Sequence, residues 1–240
     1  MCRLRHAVVG FLRIAEEGIM KSLRWWGIVV CALCVAMGNA RAAEWFVATN
    51  GNDSADGTSW ATAKQTIQAG VDATADGDTV WVSNGVYETG SRIPLGFTLE
   101  NRVVITNDIT VRSVDGPVAT VIRGEGPRGT NAVRCVYMTA GELIGFTITN
   151  GHTRTEGDGN GDQNGGGLSI FPSANVVVSN CVFSGNSAYN AGGAIFGTFY
   201  NCVFSGNSAE RAGGGVCNAT LHNCVLVENT ATEYGGGTDQ

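Results

Sequence analysis

One irregular segment, residues 151–165, gathers the side chains of this chain that could do chemistry. Asp158, Asn160 and Asp162 alternate in it as oxygen ligands alternate in calcium loops. The match to such a loop is partial, because Gln163 stands where a glycine is expected and the distal glutamate is missing. Calcium binding therefore competes with a solvated loop that holds no ion, and the sequence favours the solvated loop.

The same segment carries three further polar groups that an enzyme could use as an acid, a base or a charge stabiliser: His152, Arg154 and Glu156. Glu210 and Arg211 lie further along the chain. No pair of aspartates on adjacent strands suggests the two carboxylates of a glycoside hydrolase. We predict no catalytic residue and no cofactor, and we expect these groups to be surface charges.

A repeat in the C-terminal third indicates which elements must position this segment. Residues 180–188 return as residues 201–209 and, in a weaker form, as residues 223–231. The shifts are 21 and 22 residues, and a glycine cluster follows each copy. A period near 20 residues with short apolar alternations is typical of a solenoid.

Each repeat position is expected to stack on the same position of the next coil. Alternation in Cys-Val-Phe points the cysteine and the phenylalanine inward, and the asparagine after them falls at a corner, where left-handed backbone and an amide ladder are expected. For the cysteines we leave open a stack of free thiols and at least one disulfide. The predicted columns are Cys181, Cys202 and Cys224; Phe183, Phe204 and Leu226; and Asn186, Asn207 and Asn229.

Short strands and one helix precede the repeats. Residues 44–49 alternate as a strand, and Ile67, Val71 and Ala75 share one face of a short helix within residues 62–75. The later apolar runs are short enough for a sandwich, a barrel or a β-helix, and the near-identical copies favour the β-helix.

The irregular segment bulges from one coil of this solenoid. Phe146 and Cys181 occupy equivalent positions but lie 35 residues apart, against 21 or 22 in the other coils. About 14 residues must therefore be inserted, and loops on a rigid scaffold are where function concentrates. His222, in the strand before the third copy, is expected to be an exposed sheet residue.

The first 42 residues have the composition of a leader. A basic start at residues 20–24, an apolar run over residues 25–37 and the sequence Ala40-Arg41-Ala42 predict a secretory signal peptide that is cleaved after Ala42. Met20 is an alternative start of the chain. The predicted organisation is thus a leader over residues 1–42 and one β-helix domain over residues 43–240.

Charge restricts the partners of the exported chain. Six of the 15 Lys and Arg residues and two of the 21 Asp and Glu residues lie in the leader. The remainder has 9 basic and 19 acidic groups, a net charge of −10. Such a surface repels phosphate backbones, so we expect no nucleic-acid partner. We also expect no transmembrane segment after the leader.

Two parts of the chain resemble known secreted proteins. Residues 51–58, the helix within 62–75 and residues 76–87 resemble the opening of right-handed parallel β-helix proteins of the pectin-lyase-like fold, in which the helix caps the open end of the solenoid. Residues 183–186 and 204–207, with the glycine clusters that follow, resemble the repeats of chlamydial polymorphic outer-membrane proteins. The resemblance implies an all-β solenoid with a short N-terminal capping helix.

The function that we predict is that of a non-catalytic β-helix protein, secreted or at the outer membrane of a bacterium. It would present a long sheet face for adhesion or for contact with polysaccharide or cell-surface glycans. The resemblance implies an alternative, a secreted polysaccharide lyase, in which Arg154, Glu156 and His152 are the candidate catalytic residues and calcium assists. A second alternative is a passenger fragment of an autotransporter. Because the stretch from Tyr234 to Gln240 lacks a polar cap, we expect a longer native chain or self-association through the last coil.

Overall fold

The computed structural model describes residues 42–159, 161–171 and 176–239. The predicted signal peptide therefore lies outside the described residues, apart from Ala42. Within them the chain winds through four sheets, A to D, and every pairing between strands of these sheets is parallel. This confirms the parallel β-helix. No helix in the described part of the chain is long and apolar enough to cross a membrane.

After the first strand of sheet A, each strand of sheet A is followed by a strand of sheet B, and a short corner joins them. Sheet A has seven strands: β1 (Glu44–Val47), β2 (Thr79–Val82), β5 (Thr110–Ser113), β8 (Glu142–Ile144), β11 (Val177–Ser179), β15 (Thr198–Tyr200) and β19 (Thr220–His222). Sheet B has six strands: β3 (Gly85–Tyr87), β6 (Thr120–Arg123), β9 (Thr147–Thr149), β12 (Val182–Ser184), β16 (Val203–Ser205) and β20 (Val225–Val227).

Sheets D and C complete the later coils. Sheet C has six strands: β4 (Glu100–Ile105), β7 (Val133–Met138), β10 (Leu168–Ile170), β14 (Ala194–Ile195), β18 (Val216–Cys217) and β22 (Thr238–Asp239). Sheet D has three strands: β13 (Ser187–Asn190), β17 (Ser208–Ala212) and β21 (Thr230–Ala231). The shortness of these strands follows from the coil, which must turn a corner every few residues.

The helix is shorter than the residues 62–75 that the sequence suggested. A 3-10 turn covers Trp60–Thr62, and α1 runs only from Ile67 to Asp72. It begins late because the Thr66 side chain accepts a hydrogen bond from the Ala69 amide and so caps the first turn. The helix also ends at Asp72, so the predicted helical position of Ala75 is wrong.

The short helix still packs on the first coil. Its apolar face is buried, and the backbone of α1 lies close to sheet A at Gly70. A Cβ atom at Gly70 would lie 2.6 Å from a methyl carbon of Val47, so a glycine is required for this contact. The helix covers the start of the solenoid, as the resemblance implied.

The interior contains the predicted columns of side chains. The rings of Phe183 and Phe204 stack with centroids 4.7 Å apart and planes 10° apart, and Leu226 continues the column by register. Both rings are fully buried, which is where aromatic side chains contribute most to a core. The predicted phenylalanine stack is confirmed.

The cysteine column also faces the interior. Cys181 and Cys202 are buried, Cys224 is half-buried, and all three carry free thiols, as do Cys135 and Cys217. Burial raises the pKa of Cys135 to about 12, so this thiol stays protonated and unreactive at neutral pH. Of the two alternatives, the structure contains the stack of free thiols.

The asparagine ladder forms, but its backbone differs from the expectation. The Asn186 amide group donates to Asn207 Oδ1 over 2.9 Å, and the Asn207 amide group donates to Asn229 Oδ1 over 2.9 Å. None of these three has a positive φ angle. The left-handed residues are instead the asparagines that open each copy, such as Asn180 at φ 54° and Asn201 at φ 53°. The repeat thus has two asparagine positions with separate roles, one bonding coils and one turning a corner.

The glycine clusters lie at the corner between sheets D and C. There the backbones of neighbouring coils approach closely, and a Cβ atom at Gly192 would lie 2.6 Å from the carbonyl oxygen of Gly214. In the last described coil, Val225, Val227 and Tyr234 are exposed. Self-association through this coil stays a prediction.

Candidate functional site

The break in the repeat period is divided between two places, not confined to one loop as expected. His152 and Asn164 are 12 residues apart, whereas their partners in the next coil, Ser187 and Asn190, are three apart, so nine residues are inserted here. The other five are inserted between β10 and β11. Leu168 and Val177 are nine residues apart, whereas their partners in the next coil, Ala194 and Thr198, are four apart. Residues 153–163 thus form the larger insertion, which we call the long loop.

The two described calcium candidates of the long loop accept hydrogen bonds from backbone amides. The buried Asp162 carboxylate accepts the Thr98 and Leu99 amides at Oδ1, each over 2.9 Å, and the Thr98 hydroxyl and the Asp158 amide at Oδ2. Asp158 Oδ1 accepts the Gly161 amide over 2.8 Å. Burial acts to raise the pKa of Asp162, but these hydrogen bonds hold it below its ordinary value. This carboxylate fastens the long loop to the segment before β4.

The third candidate, Asn160, lies outside the described residues. Within the part of the chain that the structure describes, no group of three or more His, Cys, Asp or Glu side chains is arranged to hold a metal ion. Calcium binding at the long loop stays the untested alternative to the ion-free loop that the sequence favours.

A buried arginine that the sequence analysis did not name fixes the other side of the long loop. Arg134, on β7, is fully buried and donates to the carbonyl oxygens of Gly161, Asn164 and Gly165 over 2.6, 2.7 and 2.8 Å. It also donates to Asn101 Oδ1 over 3.0 Å. Burial lowers the pKa of Arg134 to about 10, which leaves it charged at neutral pH. Its position in an apolar-rich strand was the available signal, since a charge there needs buried partners.

His152 lies at the start of the long loop and packs against the backbone at Gly126. Its Nε2 is 3.3 Å from Asn150 Oδ1, and its buried Nδ1 has no hydrogen-bond partner. Burial, and to a smaller extent the charge of Arg128, lower the pKa of His152. The imidazole is therefore neutral at physiological pH.

Arg154 and Glu156, the other two candidates, line a small cavity of about 120 Å³ together with Thr130. Arg154 donates to the carbonyl oxygens of Thr98 and Thr130, each over 3.4 Å, and so reaches across to the neighbouring segment. The cavity is smaller than the roughly 300 Å³ at which small-molecule sites begin. The structure thus brings Arg154 and Glu156 together at one rim.

Of the charged residues named further along the chain, Glu210 also reaches this region. It forms an ion pair with Arg128, whose guanidinium donates to Thr153 Oγ1 and to the Arg154 carbonyl oxygen. Arg211 is engaged elsewhere, 3.6 Å from Glu233. The charges near the long loop therefore mostly bind the protein itself.

A second candidate surface is the outer face of sheet A, for which the sequence analysis named no residue except His222. Outward side chains of its seven strands form one column along the axis, which we call the sheet A column. In chain order it contains Phe46, Trp81, Arg112, Ile144, Ser179, Tyr200 and His222.

Both ends of the sheet A column carry aromatic rings. At one end, the guanidinium of Arg112 lies 4.6 Å from the centroid of the Trp81 ring, and Trp81 Nε1 donates to Glu44 Oε1 over 3.2 Å. At the other end, the rings of Tyr200 and His222 are exposed and stacked, 4.6 Å apart at 9°. Exposure of His222 on this sheet confirms the prediction made for it.

The column offers flat apolar rings beside fixed polar groups. Trp60, half exposed, extends the first end through an edge contact with Phe46 at 4.8 Å. The ring faces and edges that the stacking and Arg112 leave free can contact the C–H groups of a ligand, while carboxylates such as Glu44 accept hydroxyl hydrogens. The arrangement can therefore hold an extended ligand that has both apolar and hydroxylated faces.

Comparison with known proteins agrees with this architecture. Residues 180–198 and 201–219 each match the family model of the Chlamydia polymorphic membrane protein (Chlamydia_PMP) repeat. These matches cover two consecutive coils. Comparison with curated proteins finds no match.

A solved structure, that of a rhamnogalacturonan lyase, has a similar fold, with a TM-score of 0.51 and 11% sequence identity. The similarity covers 83% of this chain but only 63% of the lyase. At this identity the likeness concerns the fold alone. The chain is thus a parallel β-helix with repeats similar to those of polymorphic membrane proteins.

Proposed function

We propose that this protein is a non-catalytic β-helix protein of the bacterial surface that adheres to glycans through the sheet A column. The observation that carries the proposal is the pairing of exposed, stacked rings at Tyr200 and His222 with the Trp81–Arg112 platform in the same column. Rings that are stacked on each other above a rigid sheet lose little conformational entropy when a sugar contacts them.

The spacing of the sheet supports an extended ligand. Successive strands lie about 4.8 Å apart, which is close to the length of one sugar residue in a polysaccharide chain. A glycan that lies along the axis would therefore meet a new coil with each residue. The net charge of −10 that follows removal of the leader favours neutral over strongly acidic glycans.

Localisation at the surface or outer membrane is part of the same proposal. It is supported by the repeat match, because the matching family is one of membrane proteins. Protease shaving of intact cells, with detection of the long loop by a specific antibody, tests it. Digestion only after the cells are lysed would contradict a surface location.

The binding experiment measures retention of the purified protein on gels that contain neutral or acidic polysaccharides. Tyr200→Ala removes an exposed ring without touching the interior, and we expect binding at least about tenfold weaker, or about 1.4 kcal/mol. Trp81→Ala should act in the same direction. Tyr234→Ala is the matched control, since Tyr234 is exposed but lies outside sheet A. Equal retention of the Tyr200 and Tyr234 variants would refute the role of the column.

A lyase remains the second candidate, favoured by the meeting of Arg154 and Glu156 at one cavity. Its test is the appearance of unsaturated sugar ends when the protein is incubated with acidic polysaccharides and calcium. Product formation that Arg154→Ala abolishes would establish the enzyme and overturn the non-catalytic proposal. Absence of product from every polysaccharide, at an enzyme concentration near that of the substrate, would remove this candidate.

A further inference from the structure

A further cavity lies away from both surfaces considered above. It is a cleft of about 590 Å³ between α1, the segment before β4 and the ends of β4 and β7. This volume is within the range of small-molecule sites. Ile93 and Leu95, both exposed, form one apolar wall, and Asn107 and Thr139 belong to the polar side.

An ion pair spans the cleft and is held from both sides. Arg92 contacts Asp72 over 2.5 Å. The Arg92 backbone is fixed by two hydrogen bonds with Asn101, of 2.8 and 2.9 Å, and Asp72 also accepts the Gln68 amide over 2.8 Å. The positions of the guanidinium and the carboxylate are therefore set before a ligand arrives.

The charges of the cleft indicate the class of ligand. Arg92 and Asp72 neutralise each other. The carboxylate would therefore repel an anionic ligand, and the guanidinium would repel a cationic one. A zwitterion could satisfy both only by separating the pair. Two adjacent hydroxyl groups of a ligand can instead bind the ion pair without separating it. One accepts a hydrogen bond from a guanidinium N–H group that the pair leaves free, and the other donates to a free lone pair of the carboxylate.

The apolar wall restricts the ligand further. Exposed Leu and Ile side chains at the mouth of a cleft gain from covering by C–H groups. A pyranose ring has one face of C–H groups and an edge of adjacent hydroxyls, and it fits within the volume. We infer that this cleft is a binding site for a neutral hexose residue, held by Arg92 and Asp72 and packed on Ile93 and Leu95.

The inference rests on the proposed glycan ligand but uses a different surface, so the two can fail separately. The test titrates the isotopically labelled full protein with methyl glycosides of glucose, galactose, mannose and rhamnose and follows amide resonances by NMR. We expect millimolar binding of at least one glycoside with shifts at residues 92–95. Tyr200→Ala should leave these shifts unchanged while weakening retention on polysaccharide gels.

Variants of the ion pair determine whether the cleft is responsible. Arg92→Leu and the isosteric Asp72→Asn should each weaken glycoside binding at least tenfold. Arg123→Leu is the control, because Arg123 forms a comparable exposed pair with Glu88, at 3.1 Å, outside the cleft. Three outcomes overturn the inference: no glycoside shifts residues 92–95, Arg92→Leu binds as well as Arg123→Leu, or L-leucine shifts them when the glycosides do not.

Discussion

Replacing Arg134 by methionine should release the long loop and destabilise the fold around it. The side chains have similar lengths, so the change removes a charge and its donors while keeping most of the buried volume. Four acceptors lose their partner: the carbonyl oxygens of Gly161, Asn164 and Gly165, and Oδ1 of Asn101. All four face a fully buried guanidinium.

The expected cost follows from these contacts. A buried acceptor without a donor costs about 1–3 kcal/mol, which gives an upper bound of about 12 kcal/mol for four. Three of the acceptors lie in the long loop or in the two residues after it, where the backbone can move and take up water, so most of this bound is relieved. We expect a loss of about 3–5 kcal/mol, as when one partner of a buried ionic contact is removed.

Urea denaturation gives the free energy of unfolding, and amide hydrogen exchange reports on residues 153–163 separately. Exchange in the long loop should accelerate more than exchange in the coils on either side. Arg123→Met is the control, since Arg123 is half exposed. A free energy of unfolding within about 1 kcal/mol of the wild type, with loop protection unchanged, would refute the assigned role of Arg134.

Three further results are expected. Glu228→Gly should stabilise the protein by about 1 kcal/mol in urea denaturation, because Glu228 has φ 55° where the two preceding coils have glycine; a loss of stability would contradict this. Asn207→Ala should cost about 2–4 kcal/mol, because this buried amide bonds the coils on both sides, while Ser205→Ala on the outer face should cost less than about 1 kcal/mol; equal effects would argue against the ladder. The stability that the Asp162 carboxylate contributes is complete above its ordinary pKa of 3.8 and is lost as the pH falls through the lower folded value. The difference between wild type and Asp162→Asn should therefore be larger at about pH 7 than at about pH 3, and a constant difference would exclude this linkage.

The sequence was sufficient for the fold because stacking in a solenoid repeats the same contacts in every coil. Phe183 and Phe204 could be placed one above the other from a period of 21 residues alone. The backbone at the corners was harder to predict. Both asparagines of each copy tolerate left-handed backbone, and only the structure assigns that conformation to Asn180 and the ladder to Asn186.

The candidate sites could be predicted only in part. The break in the period located the long loop, but the structure used Asp162 to fasten it, through partners 63 and 64 residues earlier in the chain. Such contacts leave no periodic signal. The sheet A column was also missed, because Trp81 and Tyr200 lie in different coils whose outward positions carry different residues.

The register of the two matching copies has a consequence for how this protein can change in length. Residues 182–184 and 203–205 present the same side chain at each paired position, and the same turn precedes both. An in-frame loss or duplication of the 21 residues between them would join surfaces that already fit. Each such event would shorten or extend the rod by about 4.8 Å without a new interface having to evolve. The coil that carries the long loop cannot be exchanged in this way, so it would mark a fixed distance from the N-terminal cap.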